Sequence, residues 1–259
     1  VRELFTNLIR HKYVLANFVA RDLKVKYRGT IFGYLWSLLE PLSLVGIYYF
    51  VFVVIARRGD HDYPLMVILG VLPYNYLSGV IQGGSIALTS NAPLIRRVYI
   101  PREIFVLAQV GSSLIVYALS MLVLVPFLFA YQVTPGWRLL YLPLAVALLT
   151  AFSTGVALVT ACANAIFRDV AYVLRVVLRL LFYTAPIIYS VEMVPEALRR
   201  LYLLNPVAVY VSLARNAVLD RPLPFGLLES LSATAVALVT LLVGALIFSR
   251  WEKKAVKYL

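Results

Sequence analysis

Charge is what this chain has least of. Only 14% of its 259 residues are charged and 62% are apolar, against about 25% and about 45–50% in soluble domains. So few charged groups cannot clothe a water-soluble globule, and the mean hydropathy of +0.87 points to a bilayer. Cysteine is almost absent too: Cys162 stands alone, which excludes a disulfide framework within the chain. Two histidines, His11 and His61, leave little for a zinc site. No G-x-x-x-x-G-K-[ST] loop is present to cradle ATP phosphates, and there is no H-E-x-x-H or G-x-S-x-G. No paired aspartates suggest metal-dependent glycosyl transfer, and an intramembrane enzyme has no visible nucleophile. What remains is moving something across a membrane or holding partners in one. The net charge of +12 fits that reading rather than nucleic acid, because the basic residues cluster between apolar runs.

A spanning helix needs about 20 mostly apolar residues. Six segments qualify, at about 31–56, 64–90, 104–131, 139–166, 170–190 and 228–249. The first has Glu40 as its only charge, and the fifth carries Arg175 and Arg179. Connections rich in Gly, Pro and Asp, such as Arg57–Pro64 and Thr134–Trp137, separate the segments. Between the fifth and sixth, Pro195, Pro206, Glu192, Glu196, Arg199, Arg200, Arg215 and Asp220 interrupt the apolar pattern. The longest uncharged stretch there, Leu201–Ala214, is too short to span. Two short re-entrant helices fit this region, with a folded aqueous cap as the alternative. The expected architecture is an all-α membrane protein, with a cytoplasmic interface segment at 1–29 and a six-span domain at 30–259.

Lysine and arginine orient the chain. With both termini in the cytoplasm, the inner side collects Arg2, Arg10, Lys12 and the other basic residues of the first 28. It also takes Arg96, Arg97, Arg102, Arg168 and all the basic residues beyond 249, so every lysine falls inside. The N-terminus has no short apolar core followed by a small-residue cleavage site. Instead Val1, Leu4, Phe5, Leu8, Ile9, Leu15, Phe18 and Val19 share one helical face, with Arg2, Glu3, Asn7, Arg10, Asn17 and Arg21 opposite. That is a basic amphipathic helix suited to the membrane interface. Gly79-x-x-x-Gly83 and Ala151-x-x-x-Gly155 permit close helix packing.

Three blocks of sequence have a familiar form. The first is Gly33-Tyr34-Leu35-Trp36-Ser37-Leu38-Leu39-Glu40-Pro41-Leu42. The second combines Gly70-Val71-Leu72-Pro73-Tyr74-Asn75 with the run from Asn91-Ala92-Pro93 to Pro101-Arg102-Glu103. The third comprises Phe167-Arg168-Asp169-Val170, Ala185-Pro186-Ile187-Ile188-Tyr189, Pro195-Glu196 and Leu204-Asn205-Pro206. In this order, over nearly the whole chain, they resemble the permease subunits of type-2 ABC exporters that handle O-antigen, capsule and teichoic-acid polymers. The resemblance implies a homodimer of six-span subunits in the cytoplasmic (inner) membrane, with an ATPase subunit beneath each copy. ATP and Mg would then belong to those partners, and the cargo would be a lipid-linked polysaccharide moving outward. This chain would hold no cofactor and bind no nucleic acid. A permease for a smaller lipid or drug shares the same topology, and a non-transporting membrane scaffold is the rival of another class.

The loop from Asn91 to Glu103 offers Leu94, Ile95, Val98, Tyr99 and Ile100 as apolar contacts and Arg96, Arg97, Arg102 and Glu103 as charges. Its chemistry alone describes any basic cytoplasmic loop; the resemblance makes it a coupling helix seated on the ATPase. Arg175 and Arg179 lie one helical turn apart, and Arg179 sits about 15 Å along its helix. A lipid-facing arginine there costs at least about 2.5 kcal/mol. It therefore either meets an anionic head group or pairs with Glu40. For the glycan path the candidates are Tyr34, Tyr48 and Phe52 on the first span and Phe182, Tyr183 and Tyr189 on the fifth. Aromatic faces pack on sugar C–H groups without fixed charge. An interfacial aromatic belt is the plainer account of Tyr34.

Overall fold

The computed structural model describes residues 10–55, 57 and 62–259. The first half of the expected amphipathic helix (Val1 to Ile9) and the loop residues Arg58 to His61 lie outside the described residues. Among those described, the secondary structure is helical throughout, with no strand. The helices are α1 (Lys12–Tyr27), α2 (Trp36–Tyr49), α3 (Tyr63–Ser90), α4 (Ala92–Ile95), α5 (Glu103–Met121), α6 (Leu124–Ala130), α7 (Tyr141–Ile166), α8 (Val170–Thr184), α9 (Glu196–Leu203), α10 (Pro206–Leu219) and α11 (Leu227–Val256). Short tight turns lead into α2 and α7, and a π-helical turn over Phe50–Ile55 continues α2.

Among the described residues, five segments are long and apolar enough to cross a membrane: Gly33–Ile55, Tyr63–Ser90, Glu103–Ala130, Trp137–Ile166 and Leu227–Val256. The third is broken at Leu122–Val123, between α5 and α6. Pro126 explains the break, because it has no N–H for the Leu122 carbonyl and its ring crowds that carbonyl. The expected fifth span over 170–190 is shorter than the sequence suggested. α8 has 15 residues, about 22 Å of helix, which does not cross about 30 Å of hydrocarbon alone. The stop has a local cause: Pro186 forces its predecessor out of the helical region, and Ala185 is extended at φ −99°, ψ 152°.

α3 is the central post. It is buried along 83% of its most apolar stretch and packs against α2, α5, α7, α8 and α10. α7 and α11 cross at backbone contact: a Cβ on Gly155 would strike the Thr240 carbonyl, and one on Gly244 would strike the backbone of Gly155. The small pair at Ala151 and Gly155 thus serves close packing, with Gly244 as the partner the spacing rule could not name. Gly84 does the same for α3 and α7, where an added Cβ would sit 2.6 Å from the Cβ of Ala157.

Of the two helices between α8 and α11, only α10 enters the bundle, with every residue from Val207 to Val218 buried. Asn205 caps it by accepting from the Val207 amide at 3.0 Å. α9 is peripheral, with Leu198 54% exposed. α10 is therefore part of the packed bundle, as a shorter apolar helix. Ion pairs lace the loops at one end of the bundle: Arg221 Nη2 to Asp62 Oδ2 at 2.6 Å and Arg138 Nη1 to Asp220 Oδ1 at 3.3 Å. Asp220 holds a left-handed turn after α10 at φ 50°, and its carbonyl also accepts from Arg138 at 2.9 Å.

Candidate translocation path and coupling surface

At the bundle end opposite those ion pairs, α4 makes a single turn and the chain then runs irregularly to Pro101. Leu94, Ile95 and Ile100 turn inward against the core. Arg96, Arg97, Val98 and Tyr99 turn outward, with Tyr99 88% exposed. Arg102 lies over the Tyr99 ring at 5.8 Å and pairs with Glu252 on α11 at 3.7 Å. Glu103 differs from its neighbours in the candidate set. It is buried, 6% exposed, in the first turn of α5, so it belongs to the bundle and not to the projecting surface.

The aromatic candidates divide into three places. Tyr48 and Phe182 stack at 6.3 Å with 23° between planes, which joins α2 to α8. Phe52 lies 6.4 Å from Tyr48, and Tyr183 meets Phe182 edge-on at 5.3 Å. Two rings of α3 that the sequence reading passed over complete this group. Tyr63 lies 5.7 Å from Phe52, and Tyr74 meets Phe182 edge-on at 5.2 Å. Their hydroxyls are anchored on backbone, Tyr63 donating to Ile188 at 3.1 Å and Tyr74 to the Leu178 carbonyl. Tyr34 is elsewhere, against Tyr27 of α1 at 4.8 Å. Tyr189 lies beyond the end of α8 beside Tyr202, donating to the Tyr183 carbonyl at 2.9 Å.

Arg215 holds the stretch that follows α8. It is 4% exposed and donates to the carbonyls of Pro186 and Ile187 at 2.7 Å each and of Tyr189 at 3.1 Å. Gly70 of α3 admits this cluster, since a Cβ there would strike the Ile187 carbonyl. Only its acceptors, distant in sequence, reveal that it is a buried clamp.

The alternative of a Glu40–Arg179 ion pair does not hold within this chain. Neither residue joins any of the ion pairs among the described residues. Arg179 is exposed on α8, as is Arg175, whose guanidinium lies 4.5 Å over Tyr172. Glu40 instead lines a cavity of about 240 Å³ between α1, α2, α3 and α5.

The half of the amphipathic helix within the described residues packs on α5. Phe18 and Phe105 rings are 5.0 Å apart, and a Cβ on Gly111 would approach Val19 to 2.9 Å. No cluster of metal-ligating residues occurs among the described residues.

Known proteins share this sequence over most of its length. Two O-antigen export system permease proteins named RfbA are similar to it. The one from Klebsiella pneumoniae is 29% identical over 89% of this chain and 88% of its own; that from Myxococcus xanthus is 28% identical over 93% and 92%. The polysialic acid transport protein KpsM of Escherichia coli is 26% identical over 90% of this chain and 91% of its own. Residues 13–219 match the ABC-2 type transporter family. With a bundle of membrane-length helices and a match over most of the chain, the protein belongs to the ABC-2 type transporters, as a multi-pass transmembrane subunit.

Proposed function

We propose that this chain is the transmembrane subunit of an ATP-driven exporter that moves a lipid-linked polysaccharide outward across the cytoplasmic membrane. The observation that carries the reading is the aromatic group built on Tyr48, Phe52, Tyr74, Phe182 and Tyr183, which joins α2, α3 and α8. Tyr74 is packed behind the group, while the partly exposed Tyr48, Phe52 and Phe182 and the exposed Tyr183 offer a sugar chain apolar faces free of fixed charge. The polysaccharide exporters among its relatives favour the same cargo class.

ATP with Mg is hydrolysed in separate subunits seated on Arg96, Arg97, Val98 and Tyr99. The chain has no phosphate-binding loop of its own. Two copies pair, each above one ATPase. Support comes from α8, where Val173, Val176, Val177 and Leu180 are exposed together with Arg175 and Arg179. A guanidinium facing lipid costs about 2.5–3.5 kcal/mol, so this face turns toward a second copy and the anionic carrier head group. Both termini lie in the cytoplasm, as the positive-inside bias favours.

The test is co-purification of the chain with the ATPase encoded beside it, reconstitution, and measurement of ATP turnover with lipid-linked glycan. Stimulation by the glycan lipid supports the reading. Stimulation only by small lipids or drugs assigns another cargo, and failure to associate with any ATPase points to a scaffold.

A further inference from the structure

The cavity beside Glu40 is unlike the rest of the bundle. About 240 Å³ in volume, it lies halfway along α3 and α5 and is lined by polar side chains, among them Asn75, Gln82 and Tyr117. The Tyr117 hydroxyl is fully buried and has no hydrogen-bond partner. Such a group costs about 1–3 kcal/mol, and it is sealed within the packed wall behind the cavity. Two opposite charges stand at its open mouth, both exposed: Lys26 at the end of α1 and Glu40 on α2. Neither joins an ion pair among the described residues. A second cavity of about 510 Å³ shares Lys26, Ser113 and Val116 with the first and runs beneath α1 to Ser90 and Asn91 at the far end of α3. The two together make a groove of mixed polar and apolar lining from one end of the bundle to its middle.

We infer that this groove binds the head group of a zwitterionic aminophospholipid. The phosphate is held by Lys26 and the primary ammonium by Glu40, with the carbonyl oxygens of Asn75 and Gln82 as further acceptors. An ammonium with three N–H donors suits three acceptors; a trimethylated one has no donor to offer them. A bare phosphate would leave Glu40 facing like charge. The inference does not depend on the export reading, because a lipid can be held here whatever cargo crosses.

The experiment uses the full chain purified in detergent. It is titrated with phosphatidylethanolamine or with phosphatidylcholine of identical acyl chains, and bound lipid is read by native mass spectrometry alongside the thermal unfolding midpoint. The expected result is one phosphatidylethanolamine per chain, bound about tenfold or more tighter than phosphatidylcholine, as hydrogen bonds to a charged group imply. Glu40→Gln and Lys26→Met should each abolish that preference, and Asn75→Leu should weaken it. Equal retention of the two lipids, or undiminished preference in Glu40→Gln, overturns the assignment. So does selective retention of a galactosyl diacylglycerol, which would give the cavity to sugars.

Discussion

Ser120 Oγ lies 2.9 Å from the carbonyl oxygen of Ser37, the acceptor that Pro41 cannot serve because it has no N–H. The same hydroxyl lies 2.8 Å from the Val116 carbonyl, so its single hydrogen is shared between its own helix and α2. A proline at mid-helix is thus tolerated because another helix brings a donor to the orphaned group.

Ser120→Ala should therefore destabilise the chain, with a coupling to position 41 of about 0.6–1.7 kcal/mol. In a double-mutant cycle read by unfolding in detergent, Pro41→Ala restores the internal donor and should make Ser120→Ala nearly silent. Additive losses would show that the two positions are not linked through the Ser37 carbonyl.

Gly155→Ala and Gly244→Ala each drive a methyl into the facing backbone, which cannot swing aside as a side chain can. Each should cost about 1–3 kcal/mol or more by overpacking. Gly46 has nothing within 4 Å of an added Cβ, and Gly46→Ala should leave the thermal midpoint unchanged or raised. The comparison needs only unfolding curves of three purified variants.

Replacing Val98 and Tyr99 together by Gly should uncouple ATP turnover from export while membrane insertion stays normal. Both side chains are exposed and contribute little to the fold. Export and ATPase assays on the reconstituted complex decide it, and normal export would remove the loop from the coupling role.

Since Glu40 and Arg179 form no pair within this chain, exchanging their charges should not rescue export lost in either single reversal. Arg179→Lys should retain part of the activity, because it keeps the point charge and loses the bidentate fork. Recovery in the exchanged variant would show a pairing between two copies.

Tyr48→Ala with Phe52→Ala should lower polymer export selectively, leaving basal ATP turnover intact. The same loss is expected for Phe182→Ala, whose ring lies between Tyr48 and Tyr74. Unchanged export in the double variant would place the cargo path elsewhere.

The five membrane-length helices were legible because each is an apolar run with too few charges to leave a bilayer. The early end of α8 went unread although Pro186 marks it, because an apolar tail after the proline disguised it. α10 was harder. Its proline and its arginine left both a re-entrant helix and an aqueous cap open, and its burial rests on the fit of Arg215 to the carbonyls of Pro186, Ile187 and Tyr189. Tyr48, Phe52 and Phe182 do lie together, while Tyr34 of the same spacing pattern packs elsewhere. Aromatic spacing missed Tyr63 and Tyr74, since periodicity along one helix says nothing of what a neighbouring helix presents. Opposite charges on two helices suggested Glu40 and Arg179 as partners, and only the packing shows that they face different surroundings.

The Arg102–Glu252 contact joins the projecting loop to the tail of α11. That helix is 30 residues long, about 45 Å at 1.5 Å per residue, and at Gly244 it is locked against α7. The projecting loop is thus tied to one continuous helix, and any load it bears passes along α11 into its packing with α7.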